Sequence, residues 1–397
     1  MRYHSYLNSA KTIIELYKGD TPFAIFLKKY FNANKKYGGK DRKQIATLCY
    51  NFYRLGKAIP QLPAEEKIIV ASFLCQQVSN DFLQFHKPEW NQIITKPIAE
   101  KIAVAGFTVE DVFPWVEELS TGIDAELFGY SFFYQPDLFL RIRTGNKETV
   151  IKKLHDAGVV FNMPLDDCLA LPNSTKVDTV LEIDKDVIVQ DYNSQQVLNF
   201  IKEHDAGSKQ PISVWDCCAA SGGKSILAYD ILNGQIELTV SDVRESILSN
   251  LKKRFETAGI KNYKSFIADL TSADTQNAEG SQLPIATLPT TNYQLLICDA
   301  PCTGSGTWSR TPEQLYYLKR KTIDVYVAMQ RQIVSNVIPH VQQGGTFIYI
   351  TCSVFKNENE EIVNFIKEKF HLQLVQMELL KGYDKKADSM FVAVFKK

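Results

Sequence analysis

The sequence predicts an α/β protein: a doubly wound, mainly parallel, Rossmann-like sheet, preceded by an all-α domain and a small α+β connector. Three observations lead there. From about Ser194 onward, short apolar runs alternate with amphipathic stretches, as parallel strands covered by helices on both faces require. The front of the chain carries apolar residues at helical spacing instead. Between the two, strand-like and helical pieces mix. A chain of 397 residues exceeds one ordinary core, so residues 1–130, 131–193 and 194–397 are expected to be separate parts.

In the first part, Ser9 to Tyr17, Thr21 to Phe31, Asp41 to Leu55 and Ala64 to Gln77 each read as a helix. Thr21-Pro22 and Asp41 supply start signals, through capping side chains and a proline in the first turn. Between Lys28 and Lys43 seven cations face one acid, Asp41, with Tyr30, Phe31 and Tyr37 interleaved. Such a stretch can contact phosphates and stack on bases, or it can be a solvated helix face. In the connector, Leu138 to Arg143 alternates like a strand, Lys147 to Ala157 reads as a helix ended by Gly158, and Val187 to Val189 is a further strand. In the third part, strands are expected over Ile212–Trp215, Glu237–Ser241, Tyr263–Ile267, Tyr293–Cys298 and Thr346–Ile350. The polar stretch from Thr271 to Thr291 reads as an inserted exposed loop.

Hydrophobic residues make up 45% and charged residues 23% of the chain, ordinary values for a globular protein. No apolar run reaches the roughly 20 residues of a membrane span, and Met1 to Tyr6 lacks the apolar stretch of a signal peptide. A cytoplasmic protein is therefore expected; the chain is also expected to act as a monomer. Its 8 cysteines would then be reduced and free for chemistry.

The first strand of the third part runs into Asp216-Cys217-Cys218-Ala219-Ala220-Ser221-Gly222-Gly223-Lys224-Ser225. A glycine-bearing turn between a strand and its helix lets backbone N–H groups approach a ligand. The spacing is not that of a phosphate-binding P-loop. Asp242 closes the next strand, where a carboxylate can take ribose hydroxyls, and Asp269 follows the third, placed to meet an adenine edge. Each acid alone could be a helix cap. Together with the loop, Asp242 and Asp269 point to an adenosine-containing cofactor.

The fourth strand delivers Asp299-Ala300-Pro301-Cys302-Thr303-Gly304-Ser305-Gly306 and the fifth Thr351-Cys352-Ser353. Two cysteines therefore meet at strand carboxyl ends, the ligand edge of an open α/β sheet. Cytosine carbon-5 is a poor nucleophile until a thiolate adds to carbon-6, and cysteine supplies that thiolate near neutral pH. Asp299 could bond the ring's nitrogen-3 edge. Cys49, Cys75, Cys168 and Cys298 read as small buried hydrophobes. A zinc site from Cys217, Cys218, Cys298 and Cys302 lacks paired two-residue spacers and a histidine pair, so no metal is expected.

These motifs resemble the Sun-type, RsmB-like RNA cytosine-5 methyltransferases, in particular the bacterial 16S rRNA type. The similar segments are Asp216 to Lys224, Asp242-Val243-Arg244, Asp299 to Gly306, Thr351-Cys352-Ser353 with Asn357-Glu358-Asn359-Glu360, Val189-Gln190-Asp191 with Ser194-Gln195, and Met390 to Ala393. The resemblance implies a class I fold, S-adenosylmethionine as cofactor, Cys352 as nucleophile and Cys302 as the residue that releases product, with Asp299 and Lys224 in the catalytic group. It also implies cofactor contacts from Cys218, Ala219, Ala220, Ser221, Gly222, Gly223, Lys224, Asp242, Asp269 and Asp299. It puts Arg310, Pro312 and Glu313 near the substrate. Ser221 stands where the family usually has proline, which would loosen the turn. The helical front end resembles a NusB-type RNA-binding domain, with Asp41-Arg42 and the following helix as its match, and tilts the expected substrate toward ribosomal rather than transfer RNA. A non-catalytic RNA-binding assembly scaffold is the alternative from another class.

Overall fold

The computed structural model describes residues 2–204, 210–272 and 292–397; the loop expected over 271–291 lies almost wholly outside them. The chain forms two compact units. One comprises residues 1–119, 123–135 and 307–319, the other residues 120–122, 136–306 and 320–397. Among the described residues no helix is long and apolar enough to cross a membrane.

The first unit is helical: α1 (Arg2–Leu16), α2 (Phe23–Ala33), α3 (Gly39–Arg54), α4 (Ala64–Cys75), α5 (Asp81–His86), α6 (Pro88–Gln92), α7 (Ile98–Ala105) and α8 (Ala125–Ser131). Phe23 packs against Tyr17 and Tyr53 with ring centroids 4.8 and 4.9 Å apart. The buried Arg54 guanidinium donates to the carbonyls of Phe132 and Tyr134 at 2.6 and 3.1 Å and so fixes the end of the unit. Two helix starts differ from expectation. Pro22 is the cap of α2 and makes no side-chain bond. Asp41 is the third residue of α3, where its carboxylate accepts the Gly38 N–H at 3.3 Å. The segment 307–319, expected with the sheet, packs with these helices.

The second unit opens with the connector: β1 (Leu138–Ile142), α9 (Lys147–Asp156), β2 (Asn162–Leu165), β3 (Cys168–Leu171) and β4 (Val187–Val189), with an antiparallel sheet in the order β2-β3-β1-β4. Leu140, Ile142, Val150, Leu154 and Leu169 form its own core. The chain then runs through α10 (Asn199–His204), β5 (Ile212–Asp216), α11 (Gly223–Ile231), β6 (Ile236–Asp242), α12 (Glu245–Ala258), β7 (Tyr263–Ile267) and β8 (Tyr293–Asp299). After the excursion that contains α13 (Pro312–Tyr317) come α14 (Arg320–Val337), β9 (Val341–Thr351), α15 (Glu360–Phe370), β10 (Gln373–Leu380) and β11 (Met390–Lys396). The connector is tied to α11 by Asp230, whose carboxylate takes Arg141 and Arg143 at 2.7 Å each.

The large sheet has the order β10-β11-β9-β8-β5-β6-β7. The pairs β5–β6, β6–β7, β5–β8 and β8–β9 are parallel; β11 and β10 add an antiparallel edge. Successive side chains of a strand point to opposite faces, so a strand covered on both sides must be apolar throughout. Val214, Ile297, Ile348 and Ile350 enter one core with α11 and α12, while Trp215, Leu296, Phe347 and Tyr349 enter the other with α14 and α15. The strand order reverses between β5 and β8, the switch point where such sheets open a crevice at their carboxyl ends.

Candidate active site

The loop from β5 to α11 is shaped by two left-handed residues. Gly222, at φ +85°, caps α11, and a Cβ there would stand 2.7 Å from the Phe255 ring. Ala220 holds φ +45° without glycine's freedom; its N–H donates to Asp242 Oδ2 at 3.0 Å, which offsets that cost. Ser221 does not leave the turn loose: Arg254 donates to its carbonyl and its hydroxyl at 2.8 and 3.1 Å, and Asp184 clasps Arg254 in turn at 2.7 Å. Among the described residues, a Cβ on Gly223 would meet nothing within 4 Å.

Asp242 is buried at the end of β6. Arg244 donates to it through its backbone N–H at 2.9 Å and its side chain at 3.0 Å, and that side chain is itself half exposed. Asp269, after β7, accepts the Thr271 N–H and hydroxyl at 2.9 and 2.6 Å. At the end of β5, Asp216 Oδ2 accepts the Ser225 hydroxyl at 2.6 Å, while Asp216 Oδ1 is buried and has no partner among the described residues. Burial pushes the Asp216 carboxyl up to about 7 against that hydrogen bond.

Asp299 ends β8, and its Oδ2 lies 2.6 Å from Lys224 Nζ, projected from the first turn of α11. Burial works against the ammonium, but the charge and hydrogen bond of Asp299 hold it above its ordinary range, with Cys352 also adding to the rise.

Cys302 and Cys352 leave the adjacent strands β8 and β9, and their sulfurs stand 3.3 Å apart, both partly exposed. The neighbouring sulfur and burial hold the Cys302 thiol well above its ordinary range. The two loops touch through the backbone: Gly306 donates to the Cys352 carbonyl at 2.9 Å and accepts from Ser389 at 2.9 Å. A Cβ on Gly306 would sit 2.2 Å from the Ser389 oxygen, so only glycine fits.

Glu358 belongs to the Asn357-Glu358-Asn359-Glu360 motif, whose pattern alone assigns it no role. It is fully buried beneath the cysteine loops. Its Oε1 accepts the Thr303 N–H at 2.8 Å and the Gln330 amide at 3.1 Å; its Oε2 accepts the Thr303 hydroxyl at 2.6 Å and a very short bond from Ser353. Gln330, on α14, also donates to the Pro301 carbonyl at 2.9 Å. Thr303 follows Cys302 and Ser353 follows Cys352, so one carboxylate fixes both thiol loops. The available signal was a glutamate shortly after a strand-end cysteine, without a visible partner.

Pro312 opens α13 and Glu313 is buried in the helical unit, accepting the Phe23 N–H at 3.4 Å, so neither presents a free side chain to a substrate. In the basic stretch Lys28, Lys29, Lys35, Lys36, Lys40 and Lys43 are exposed, but Phe31 is in the core and cannot stack on a base. Cys49, Cys168 and Cys298 are buried as expected, while Cys75 is partly exposed. Of the four cysteines weighed as zinc ligands, Cys217, Cys218 and Cys298 come together and Cys302 faces Cys352.

Residues 202–394 match the family model of the 16S rRNA methyltransferase RsmB/F. The probable ribosomal RNA small subunit methyltransferase B of Bacillus subtilis (strain 168) is 26% identical over 204 residues, 51% of this chain and 42% of that protein. The match thus spans less than half the length of that curated relative. Among solved structures, the protein PH0851 superposes with a TM-score of 0.67 at 19% identity, covering 100% of this chain and 98% of its own. A methyltransferase homolog protein from Pyrococcus horikoshii gives a TM-score of 0.57 at 17% identity, covering 75% and 98%. At these identities the superpositions establish the fold.

Proposed function

We propose that this chain, whose residues 202–394 match the family model of the 16S rRNA methyltransferase RsmB/F, transfers a methyl group from S-adenosylmethionine to carbon-5 of a cytosine in RNA. The observation that carries this reading is the pair of sulfurs 3.3 Å apart at the ends of neighbouring strands, beside the Lys224–Asp299 pair.

The cofactor loop fits an adenosyl group. The Asp242 carboxylate ends a buried strand, and the half-exposed Arg244 side chain can leave it so that ribose hydroxyls take its place. Among the described residues, nothing lies within 4 Å of where a Cβ on Gly223 would stand, at the start of α11. When bound, S-adenosylmethionine supplies a methyl group on a sulfonium centre.

The protein's own groups do the rest. The Cys352 thiolate adds to carbon-6 of the base, which moves electron density onto carbon-5. Carbon-5 takes the methyl group; a base then takes the carbon-5 proton, and the electron pair left behind restores the carbon-5–carbon-6 double bond and expels the Cys352 sulfur as thiolate. Asp299, oriented by Lys224, holds the nitrogen-3 edge of the base and stabilises the adduct. Cys302, with its sulfur 3.3 Å from that of Cys352, serves the release step. Glu358 keeps the two sulfurs in register. The target base must be splayed out of the RNA, because carbon-6 is shielded within a stacked helix. The exposed lysines between Lys28 and Lys43 suit phosphate contacts in an RNA substrate, which we place in small-subunit ribosomal RNA. The described cysteines are all free, in keeping with a cytoplasmic enzyme.

The test uses transcripts of small-subunit ribosomal RNA and of transfer RNAs with tritiated cofactor, comparing wild type, Cys352→Ala and Cys302→Ala. Cys352→Ala is expected to lose turnover and keep cofactor affinity; Cys302→Ala is expected to trap a covalent protein–RNA adduct on a denaturing gel. Label only on transfer RNA would overturn the substrate. Full activity of Cys352→Ala would overturn the mechanism.

A further inference from the structure

Cys217 and Cys218 follow β5, and Cys298 is the penultimate residue of β8. These strands are hydrogen-bonded neighbours, joined here by the Cys217 N–H to the Ile297 carbonyl at 3.0 Å. Register therefore brings three thiols to one point: their sulfurs all lie within 4.8 Å of one another, and those of Cys217 and Cys218 are 4.0 Å apart. Neither methyl transfer nor cofactor binding as described above uses Cys217 or Cys298.

That spacing is informative. Three sulfurs around one metal ion, each at the usual thiolate distance of about 2.3 Å, stand about 4.0 Å apart in a trigonal plane and about 3.8 Å apart in a tetrahedron. One pair already meets the trigonal value, and the others need to contract by less than about 0.8 Å, within side-chain reach. Cys217 and Cys298 are 1% and 0% exposed, whereas Cys218 is partly exposed. Two of the thiols are thus buried, and the partly exposed Cys218 gives an ion a way in. Arg244 lies within electrostatic reach of Cys218 and supplies a positive charge beside the thiolates. A donor set of sulfur alone favours a soft cation over Mg2+ or Ca2+.

We propose that Cys217, Cys218 and Cys298 form a three-thiolate site for a thiophilic d10 cation, Zn2+ or Cu+. Binding releases the thiol protons to solvent and involves no change of oxidation state. The ion joins the end of β5 to the end of β8, and so fixes the first residues of the glycine loop against the strand that carries Asp299.

The test titrates the reduced, chelator-treated full-length protein separately with Zn2+ and with Cu+. Bound metal is measured by native mass spectrometry, and thiolate charge-transfer absorption is recorded with Cd2+ as probe. One equivalent is expected in wild type and in Cys302→Ser. Cys298→Ser and Cys218→Ser are each expected to weaken binding at least tenfold; the partly exposed Cys218 serves as the variant that leaves the core intact. Tight binding of Zn2+ alone identifies a site completed by a fourth ligand, and of Cu+ alone a trigonal one. Absence of stoichiometric binding by either ion overturns the proposal. So does binding that survives both substitutions, or that is lost in Cys302→Ser, which would put the metal on the Cys302–Cys352 pair. The readout is metal stoichiometry, so it stands apart from whether the chain methylates RNA.

Discussion

Replacing Glu358 by alanine tests whether one buried carboxylate holds the two thiol loops in place. In wild type it accepts two N–H donors on one oxygen, from Thr303 and Gln330, and two hydroxyls on the other, from Thr303 and Ser353. Alanine leaves all four without that acceptor. The hydroxyls can turn: Ser305 Oγ lies 3.2 Å from Thr303 Oγ1 and 3.1 Å from Ser353 Oγ. The backbone Thr303 N–H is fixed in direction, and the Gln330 amide keeps its bond to the Pro301 carbonyl. A buried donor deprived of its partner costs about 1–3 kcal/mol, so the two N–H groups together put the loss on the order of 2–6 kcal/mol. Removing a buried charge offsets part of this, since burial already holds the Glu358 carboxyl above its usual range. Glu358→Gln separates the contributions. Its carbonyl can still accept both N–H donors while its amide donates to the rotated hydroxyls, so most of the loss should be recovered. The assay is denaturant unfolding followed by the buried Trp215, with methyl transfer measured on the same samples. Glu358→Ala should lower the unfolding midpoint and nearly abolish turnover, and Glu358→Gln should regain most of the stability. A midpoint shift worth less than about 1 kcal/mol, with turnover intact, would refute the reasoning.

Gly306→Ala drives a Cβ to within 2.2 Å of the Ser389 oxygen and 3.0 Å of the Cys352 oxygen; unfolding should show a loss of about 1–3 kcal/mol or more, and an unchanged midpoint would count against the close approach. Arg244→Ala removes a half-exposed guanidinium from Asp242. Exposed pairs are worth about 0.2–1 kcal/mol, so calorimetry should find S-adenosylhomocysteine bound up to about fivefold more tightly, and weaker binding would mean that Arg244 contacts the cofactor. Asp216 has a folded-state pKa raised from 3.8 to about 7 by burial. A raised carboxyl pKa contributes stability that is fully present below about pH 4 and lost as pH climbs through about 7, a change of up to the order of 4 kcal/mol. The stability of wild type relative to Asp216→Asn should therefore fall between pH 4 and 7, and a flat difference in pH-dependent unfolding would remove Asp216 from that role.

How much the sequence determined depends on how local each cause was. Strands such as Leu295–Cys298 and Phe347–Ile350 were legible because an apolar run with both faces covered is a property of consecutive residues, as was the glycine turn at Gly222-Gly223. Helix beginnings were less so: Asp41 reads as a cap, yet acts from the third position of α3, because several acceptors near a helix start can satisfy the same N–H groups. β10, an exposed edge strand without a strong pattern, went unread. The thiol pair was accessible because Cys302 and Cys352 each follow a strand, and strand ends of a parallel sheet share one edge. Only the tertiary structure decided the rest. Strand order made β5 and β8 neighbours and so gathered Cys217, Cys218 and Cys298. Packing set Glu358 beneath two loops that lie 50 residues apart in sequence, and drew 307–319, which contains Pro312 and Glu313, into the helical unit. Such groupings depend on which distant elements pair, and the identity of a cysteine or glutamate does not reveal which partners the fold will bring to it.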